Sequence, residues 1–460
     1  MSNASSERVR IFSDRQFNRE LFQIAFPMAV QELMLALVAA ADAFMLGQLE
    51  QDAMSAVSLA TQVQFIQSLF FFATVSAVTI LASQYWGKGD KKTIGRIFGI
   101  GLRVSAVISV VFFVACVFFP RYLMLLFTDE EVLIEIGVRY LRIAGWSYLI
   151  TGTSRVYMGI MKVAKHPRMT AAVSSTVVIL NIVLNAFLIF GLAGCPALGT
   201  EGAAWATLIA RIVELVWVII LSFIPGYIRP TWKDLFSFNR LLRKDFAHCL
   251  LPLMGSNVLW GVGFTVYTAC MGHLGNDVTA ANAVAAVVRD LVCCFCNGIC
   301  IGGGILVGNA LGHGDLETGK IRGIRLCKLS FLVGGASMIL MLASTPLLLV
   351  SVKLTPQARE TLFGMMMIMA VYMIGRSVNT IIINGVFSAG GDTLFDAYSL
   401  AVTMWGMAVP LALLGTFVFD WPPLLVYGMT CLDEVGKIPW VIFHERKYRW
   451  VKDLTKEISD

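Results

Sequence analysis

Residues 53–87 read AMSAVSLATQVQFIQSLFFFATVSAVTILASQYWG, without one Asp, Glu, Lys or Arg. A helix spans the hydrocarbon core of a bilayer with about 20 apolar residues, so this stretch alone is long enough to cross. The same absence of charge recurs over 171–200, 249–276, 329–352 and 397–419. Across all 460 residues, 57% are hydrophobic and 14% charged, against about 25% charged in soluble domains. That composition excludes a water-soluble enzyme, a disordered chain and a fibrous protein. Apolar and polar residues do not alternate along these runs, which excludes a β-barrel. The fold class is therefore an all-α polytopic membrane protein. Twelve transmembrane helices are expected, at roughly 18–47, 54–84, 93–120, 132–160, 168–193, 201–226, 246–273, 278–312, 318–350, 357–388, 393–418 and 422–446.

The first residues are polar, and no short apolar core with a small-residue cleavage site follows them, so they do not read as a signal peptide. Basic residues then sort by side. Arg8, Arg10, Arg15 and Arg19 precede helix 1; Lys88, Lys91, Lys92 and Arg96 follow helix 2; Lys162, Lys165 and Arg168 follow helix 4. Arg229, Lys233, Arg240, Arg243 and Lys244 lie in the middle loop, Lys320, Arg322, Arg325 and Lys328 follow helix 8, and Arg446, Lys447, Arg449, Lys452 and Lys456 lie in the tail. The opposite loops hold only Arg121, Lys353 and Arg359, among Glu50, Asp52, Asp129, Glu130 and Glu131. This positive-inside bias places both termini in the cytoplasm, in a multi-pass protein of the cytoplasmic (inner) membrane. It also accounts for the net charge of +6 without nucleic acid, since no basic stripe interleaves with aromatics.

The chain repeats itself. Gly87-Lys-Gly-Asp90 returns as Gly312-His-Gly-Asp315, an offset of 225 residues (312 − 87). The same offset carries Pro27 to Pro252 and Glu32 to Asn257. Gly159 and Gly385, and Trp217 and Trp440, keep nearly the same spacing. Six helices per half is an even number, so the halves are parallel repeats related by a pseudo-two-fold axis along the membrane normal. The expected division is a cytoplasmic segment 1–17, an N-lobe 18–226, a cytoplasmic linker 227–245, a C-lobe 246–446 and a cytoplasmic tail 447–460. Two bundles around a cleft suit transport by alternating access, although a fold does not itself prove a function.

Ionisable groups at membrane depth are costly and each demands a reason. Helix 1 carries Glu32 and Asp42, helix 6 Arg211 and Glu214, helix 8 Arg289 and Asp290, helix 10 Arg376, and helix 12 Asp433, Glu434 and Lys437. Arg211 with Glu214 (i, i+3) and Asp433 with Lys437 (i, i+4) read as neutralising pairs on one helix face. Asp42 has no basic neighbour at helical spacing. A buried carboxyl of this kind resists ionisation and suits a group that takes a cation on one side and releases it on the other; the plainer reading is a polar end to helix 1 near Gly47. Glu32 follows Pro27, whose ring weakens the helix ladder, and is open between a cleft-facing role and a satisfied contact. Pro27 itself is the natural hinge. Asn181 and Asn185 share a face of helix 5; spacing alone favours hydrogen bonding between helices.

Cys293, Cys294, Cys296 and Cys300 have ligand-like spacing but no His partner, so they read as small packing residues, and no metal site is expected. Met369 and Met373 belong to a cluster on helix 10 that either fills the core or meets varied apolar guests. No Walker or dinucleotide motif appears, and neither an organic cofactor nor catalysis is expected.

Phe26-Pro27, Ala41-Asp-Ala-Phe-Met-Leu-Gly47, Gln84-Tyr-Trp-Gly-Lys-Gly-Asp90, Asn181-Ile-Val-Leu-Asn185 with Ile189-Phe-Gly191, Leu198-Gly-Thr-Glu-Gly-Ala-Ala-Trp-Ala-Thr207, Gly308-Asn-Ala-Leu-Gly312 and Phe387-Ser-Ala-Gly-Gly-Asp392 occur in that order. Together they resemble the multidrug and toxic compound extrusion (MATE) family over nearly the whole chain, in its DinF-like branch. The resemblance implies a cation-coupled antiporter, exchanging protons or sodium for cationic or amphipathic small molecules, and working as a monomer among membrane lipids. It implies a coupling site at Asp42, Asn181, Asn185 and Thr207. The second helix-5 position departs from the branch, with Asn185 where an Asp is usual, so the site carries one formal charge fewer. Asn257 stands near the acidic helix-7 position of another branch, which argues against a C-lobe cation site. A lipid-linked saccharide flippase of related fold is the alternative; it would use Arg289 and Arg376 to hold phosphate.

Overall fold

The computed structural model describes residues 10–46, 51–194, 196–237, 239–352 and 354–456. Among them there is no strand. Six helices make the first repeat: α1 (Arg15–Leu46), α2 (Gln51–Lys88), α3 (Lys91–Phe118), α4 (Glu131–Val163), α5 (Pro167–Phe190) and α6 (Gly199–Ser222). The second repeat has α7 (Arg240–His273), α8 (Asn276–Gly312), α9 (Leu316–Ser351) and α10 (Pro356–Asn379), the last continuing as a π-helix over Thr380–Phe387. Then α11 runs Leu394–Leu400, widens to a π-helix at Ala401–Ala408 and resumes at Val409–Phe417. Finally α12 comes in three pieces, Pro423–Thr430, Leu432–Val435 and Ile438–Glu445. Ten helices of the described chain are long and apolar enough to cross a membrane. The other two are α4, which carries Glu131, Glu135, Arg139, Arg142, Arg155 and Lys162, and the interrupted α12.

The repeated motif has a physical cause. Gly89 and Gly314 adopt φ of 80° and 84°, in the left-handed region where glycine escapes the Cβ penalty. The next residue then caps the following helix. Asp90 Oδ1 accepts from Thr93 N at 3.0 Å, and Asp315 Oδ1 from Thr318 N at 3.0 Å. Each Asp satisfies one amide that helix geometry leaves open.

Two compact units emerge. One comprises Gln31–Ala82 and Asp90–Leu250, here the N-terminal unit. The other comprises Met1–Val30, Ser83–Gly89 and Leu251–Asp460, the C-terminal unit. The dividing point within α1 falls three residues after Pro27, which sits inside the helix. In the C-terminal unit the first half of α1 lies close against α8: a Cβ on Gly298 would collide with Ala25 and Ala29. The end of α2 belongs there too, because Gln84 donates to Ala389 O at 2.7 Å and accepts from Leu454 N at 2.6 Å.

Candidate functional site

In the N-terminal unit α5 and α6 approach unusually closely. Gly202 makes this possible, since a Cβ there would run into the Leu188 carbonyl. Gly191, at φ 71°, terminates α5 in the left-handed conformation, and α6 begins eight residues later at Gly199. Between these helices, α1, α2 and α4 lies a cavity of about 390 Å³. Asn181 and Asn185 of α5 and Thr207 of α6 all line it. Both Asn side chains are buried, and Asn185 Nδ2 donates to Asn181 Oδ1 at 3.4 Å. Thr207 donates its hydroxyl to Ala203 O, one turn back, at 3.0 Å. From α1 come Gln31, Leu35 and Val38. Asp42 lies one turn beyond Val38 on α1, but its side chain is outside the described residues.

The cavity also holds charge. Arg211 and Glu214 pair on one face of α6, as the i, i+3 spacing predicts. Glu214 is buried and also accepts from Ser154 Oγ of α4 at 2.8 Å. Arg155, again from α4, lines the same cavity; sequence reading passed it over. The signal was present, because Arg155 is the one charged residue between Arg142 and Lys162, and a solitary intramembrane arginine is a functional candidate by default. Glu32 of α1 lies within electrostatic range of Arg155 and Lys162.

The remaining predicted residues lie in the C-terminal unit. Arg289 pairs with its neighbour Asp290 at 2.9 Å and stacks over Phe264. Arg376 pairs with Glu434 at 2.8 Å, and Asn379 donates to Glu434 Oε2 at 2.7 Å. Met369 and Met373 are buried, with Tyr427 donating to the Met369 sulfur at 3.8 Å. Asn257 is on α7, half-buried. Cys293, Cys294, Cys296 and Cys300 are buried on α8. One expectation is corrected. Asp433 and Lys437 form no ion pair within 4 Å among the described residues, although Lys437 lies within electrostatic range of both Asp433 and Glu434. Glu434 is paired across to α10 instead.

Apolar helices of spanning length, a duplicated topology, and polar groups buried at the helix centres define a multi-pass membrane transporter. The sequence profile of the MatE family matches residues 27–187 and 252–414, two stretches whose starts again stand 225 residues apart (252 − 27). The chain belongs to the MatE family, and is a transporter rather than an enzyme. It is 25% identical over 410 residues to the uncharacterized transporter YisQ of Bacillus subtilis (strain 168), covering 87% of this chain and 88% of that protein. It is also 25% identical over 416 residues to the probable multidrug resistance protein NorM of Bradyrhizobium diazoefficiens, covering 85% of each. Among solved structures, an outward-facing multidrug resistance MATE family transporter of the MOP superfamily matches with TM-score 0.84 and 17% identity, covering 94% of this chain and 95% of that one. The Vibrio cholerae MATE transporter VcmN in its bent form matches with TM-score 0.83 and 16% identity, covering 95% and 97%. These likenesses establish the fold.

Proposed function

We propose that this transporter exports amphipathic small molecules across the cytoplasmic membrane in exchange for protons, by alternating access, with both termini inside and one chain sufficient. The observation that carries this reading is that Asn181, Asn185 and Thr207 share one cavity with α1, immediately before Asp42 on that helix. Asp42 takes the proton. Its neutralisation changes the packing of α1, Pro27 provides the bend because its ring removes one ladder hydrogen bond, and the altered helix lowers affinity for the exported compound. Coupling demands only that proton and substrate favour different states of the cavity.

One feature supports a proton over sodium. A bound sodium ion needs several oxygen ligands and benefits from more than one carboxylate, whereas Asn185 supplies a neutral amide. The flippase reading loses its support because Arg289 and Arg376 are already engaged with Asp290 and Glu434.

The test is transport in vesicles under separate proton and sodium gradients. Asp42→Asn should abolish proton-driven efflux, and a sodium gradient alone should drive none in the wild type. Undiminished proton-driven efflux by Asp42→Asn would remove the basis of the mechanism.

A further inference from the structure

The geometry points to Arg155 as the anchor for a carboxylate on the transported molecule, so that the N-terminal cavity selects amphipathic monoanions. This rests on the transport reading above and names its substrate class.

The argument begins with unmatched charge. Of the two guanidinium groups lining the cavity, that of Arg211 is neutralised by Glu214, which Ser154 also holds. Among the described residues Arg155 has no such partner. Its Nε is buried without an acceptor, and no carboxylate lies within ion-pair distance of it among the described residues. Arg211, Glu214, Glu32 and Lys162 all lie within electrostatic range of Arg155, two cations against two carboxylates, so their signs largely offset each other and, among the described residues, none of them contacts its guanidinium. A cationic fork facing a partly apolar cavity is costly when unpaired. A carboxylate matches it, because two parallel N–H donors meet two oxygens in one plane.

The rest of the cavity suits such a guest. Its volume of about 390 Å³ falls within the usual range for small-molecule sites. Leu35, Val38, Met54, Val177 and Ile189 offer apolar wall. Gln31, held by donating to Ser174 Oγ at 2.9 Å, adds a polar patch to that wall. One free guanidinium suits one negative charge. The polarity is the reverse of the cationic preference that the family resemblance implies. Coupling remains compatible, since it runs through the shape of α1 and not through contact between proton carrier and substrate.

The test uses one aromatic scaffold in three charge states: 2-naphthoxyacetate, its methyl ester and 2-naphthoxyethylamine. Binding of each tritiated compound is measured on the full chain in phosphatidylcholine nanodiscs, and gradient-driven transport in proteoliposomes. We expect the wild type to bind the carboxylate roughly 10- to 100-fold more tightly than ester or amine, as a charge-assisted hydrogen-bonded pair predicts. Arg155→Gln should bring the carboxylate to the level of the ester and leave the ester unchanged. Arg155→Lys, which keeps the charge but loses the fork, should retain part of the preference. Unchanged ester binding also shows that the variant is folded. Equal binding of the three compounds, an amine preference, or a carboxylate preference that survives Arg155→Gln overturns the inference. Proton-driven transport of the amine or ester alongside any of those results leaves the antiport reading standing. Selective, Arg155-dependent binding without gradient-driven transport of any compound keeps the anchor and defeats the antiport reading.

Discussion

Glu214 and Glu434 are both buried carboxylates on the last helix of a repeat, yet their surroundings differ. Each accepts from a polar side chain of the fourth helix of its repeat: Ser154 for Glu214 and Asn379 for Glu434. Those two donors stand one repeat spacing apart (379 − 154 = 225), whereas the acceptors are 220 apart (434 − 214). The likeness is therefore one of role, not of strict register. Glu214 finds its cation three residues away on its own continuous helix. Glu434 finds it on α10, with α12 broken around it and Lys437 and Asp433 close by. In the C-terminal unit Arg376 and Glu434 answer one another across helices, while in the N-terminal unit Arg155 faces a cavity.

The largest expected effect tests that contrast directly. Glu434→Gln leaves Arg376 and Lys437 without their main counter-charge, and losing one member of a buried pair costs about 3–5 kcal/mol. Glu214→Gln should cost less, about 1–3 kcal/mol, because Arg211 borders the cavity and the Ser154 hydroxyl still finds an oxygen on the amide. Thermal unfolding of the purified variants in detergent measures both. Equal losses would mean that the two carboxylates are not differently housed.

A second comparison concerns backbone approach. Gly202 and Gly428 are separated by 226 residues, close to the repeat spacing. A Cβ on Gly202 would strike the Leu188 carbonyl, whereas one on Gly428 would meet nothing within 4 Å. Gly202→Ala forces α5 and α6 apart and should destabilise by about 1–3 kcal/mol, with weaker binding in the cavity between them. Gly428→Ala meets no obstacle and should be neutral or stabilising by up to about 1 kcal/mol, the usual gain for Ala over Gly in a helix. The same unfolding measurement separates the two, and a comparable loss at both positions would contradict the packing described.

These comparisons show which features local sequence could reveal. Charge-free runs exposed the spanning helices because the bilayer penalises ions wherever they sit. The Gly-x-Gly-Asp pairs exposed the repeat because turn conformation and capping are decided within a few residues. Asn181, Asn185 and Thr207 were named through family resemblance, and they do line one cavity. Arg155 escaped notice because Glu131, Glu135, Arg139, Arg142 and Lys162 mark α4 as a charged helix at its two ends, although the stretch around Arg155 is otherwise free of charge. The pairing made by α12 was hidden for another reason. Residues 422–446 read as one helix, and Cys431, Gly436 and Lys437 do keep right-handed helical angles; what local spacing does not show is that Glu434 attaches across to Arg376 and Asn379. Tertiary pairing of this sort has no short-range signature.

The smallest effect concerns the first helix of each repeat. Asp14 Oδ1 accepts from Phe17 N at 3.0 Å, and Asn239 Oδ1 accepts from Leu242 N at 3.0 Å. The caps of α1 and α7 are thus one repeat spacing apart (239 − 14 = 225), one titratable and one not. Asp14 adds an ion pair with Arg325 at 2.7 Å. The Phe17 N–H, followed by the Arg325 guanidinium, holds the Asp14 carboxyl below its ordinary value against the opposing pull of partial burial. A carboxyl with a lowered folded-state pKa contributes stability that is fully present above its unfolded value and is lost as pH falls through the folded one. Acidification below the ordinary carboxylate range should therefore loosen α1 at its start while leaving the α7 cap intact. Asp14→Asn should remove that acid-sensitive component. At neutral pH it should cost no more than about 1 kcal/mol, since the pair is partly exposed. Hydrogen exchange at the Phe17 and Leu242 amides between neutral and acid pH checks it: Phe17 should lose protection on acidification in the wild type but not in Asp14→Asn, and Leu242 in neither. Parallel loss at both amides would show that the acid response comes from elsewhere in the fold.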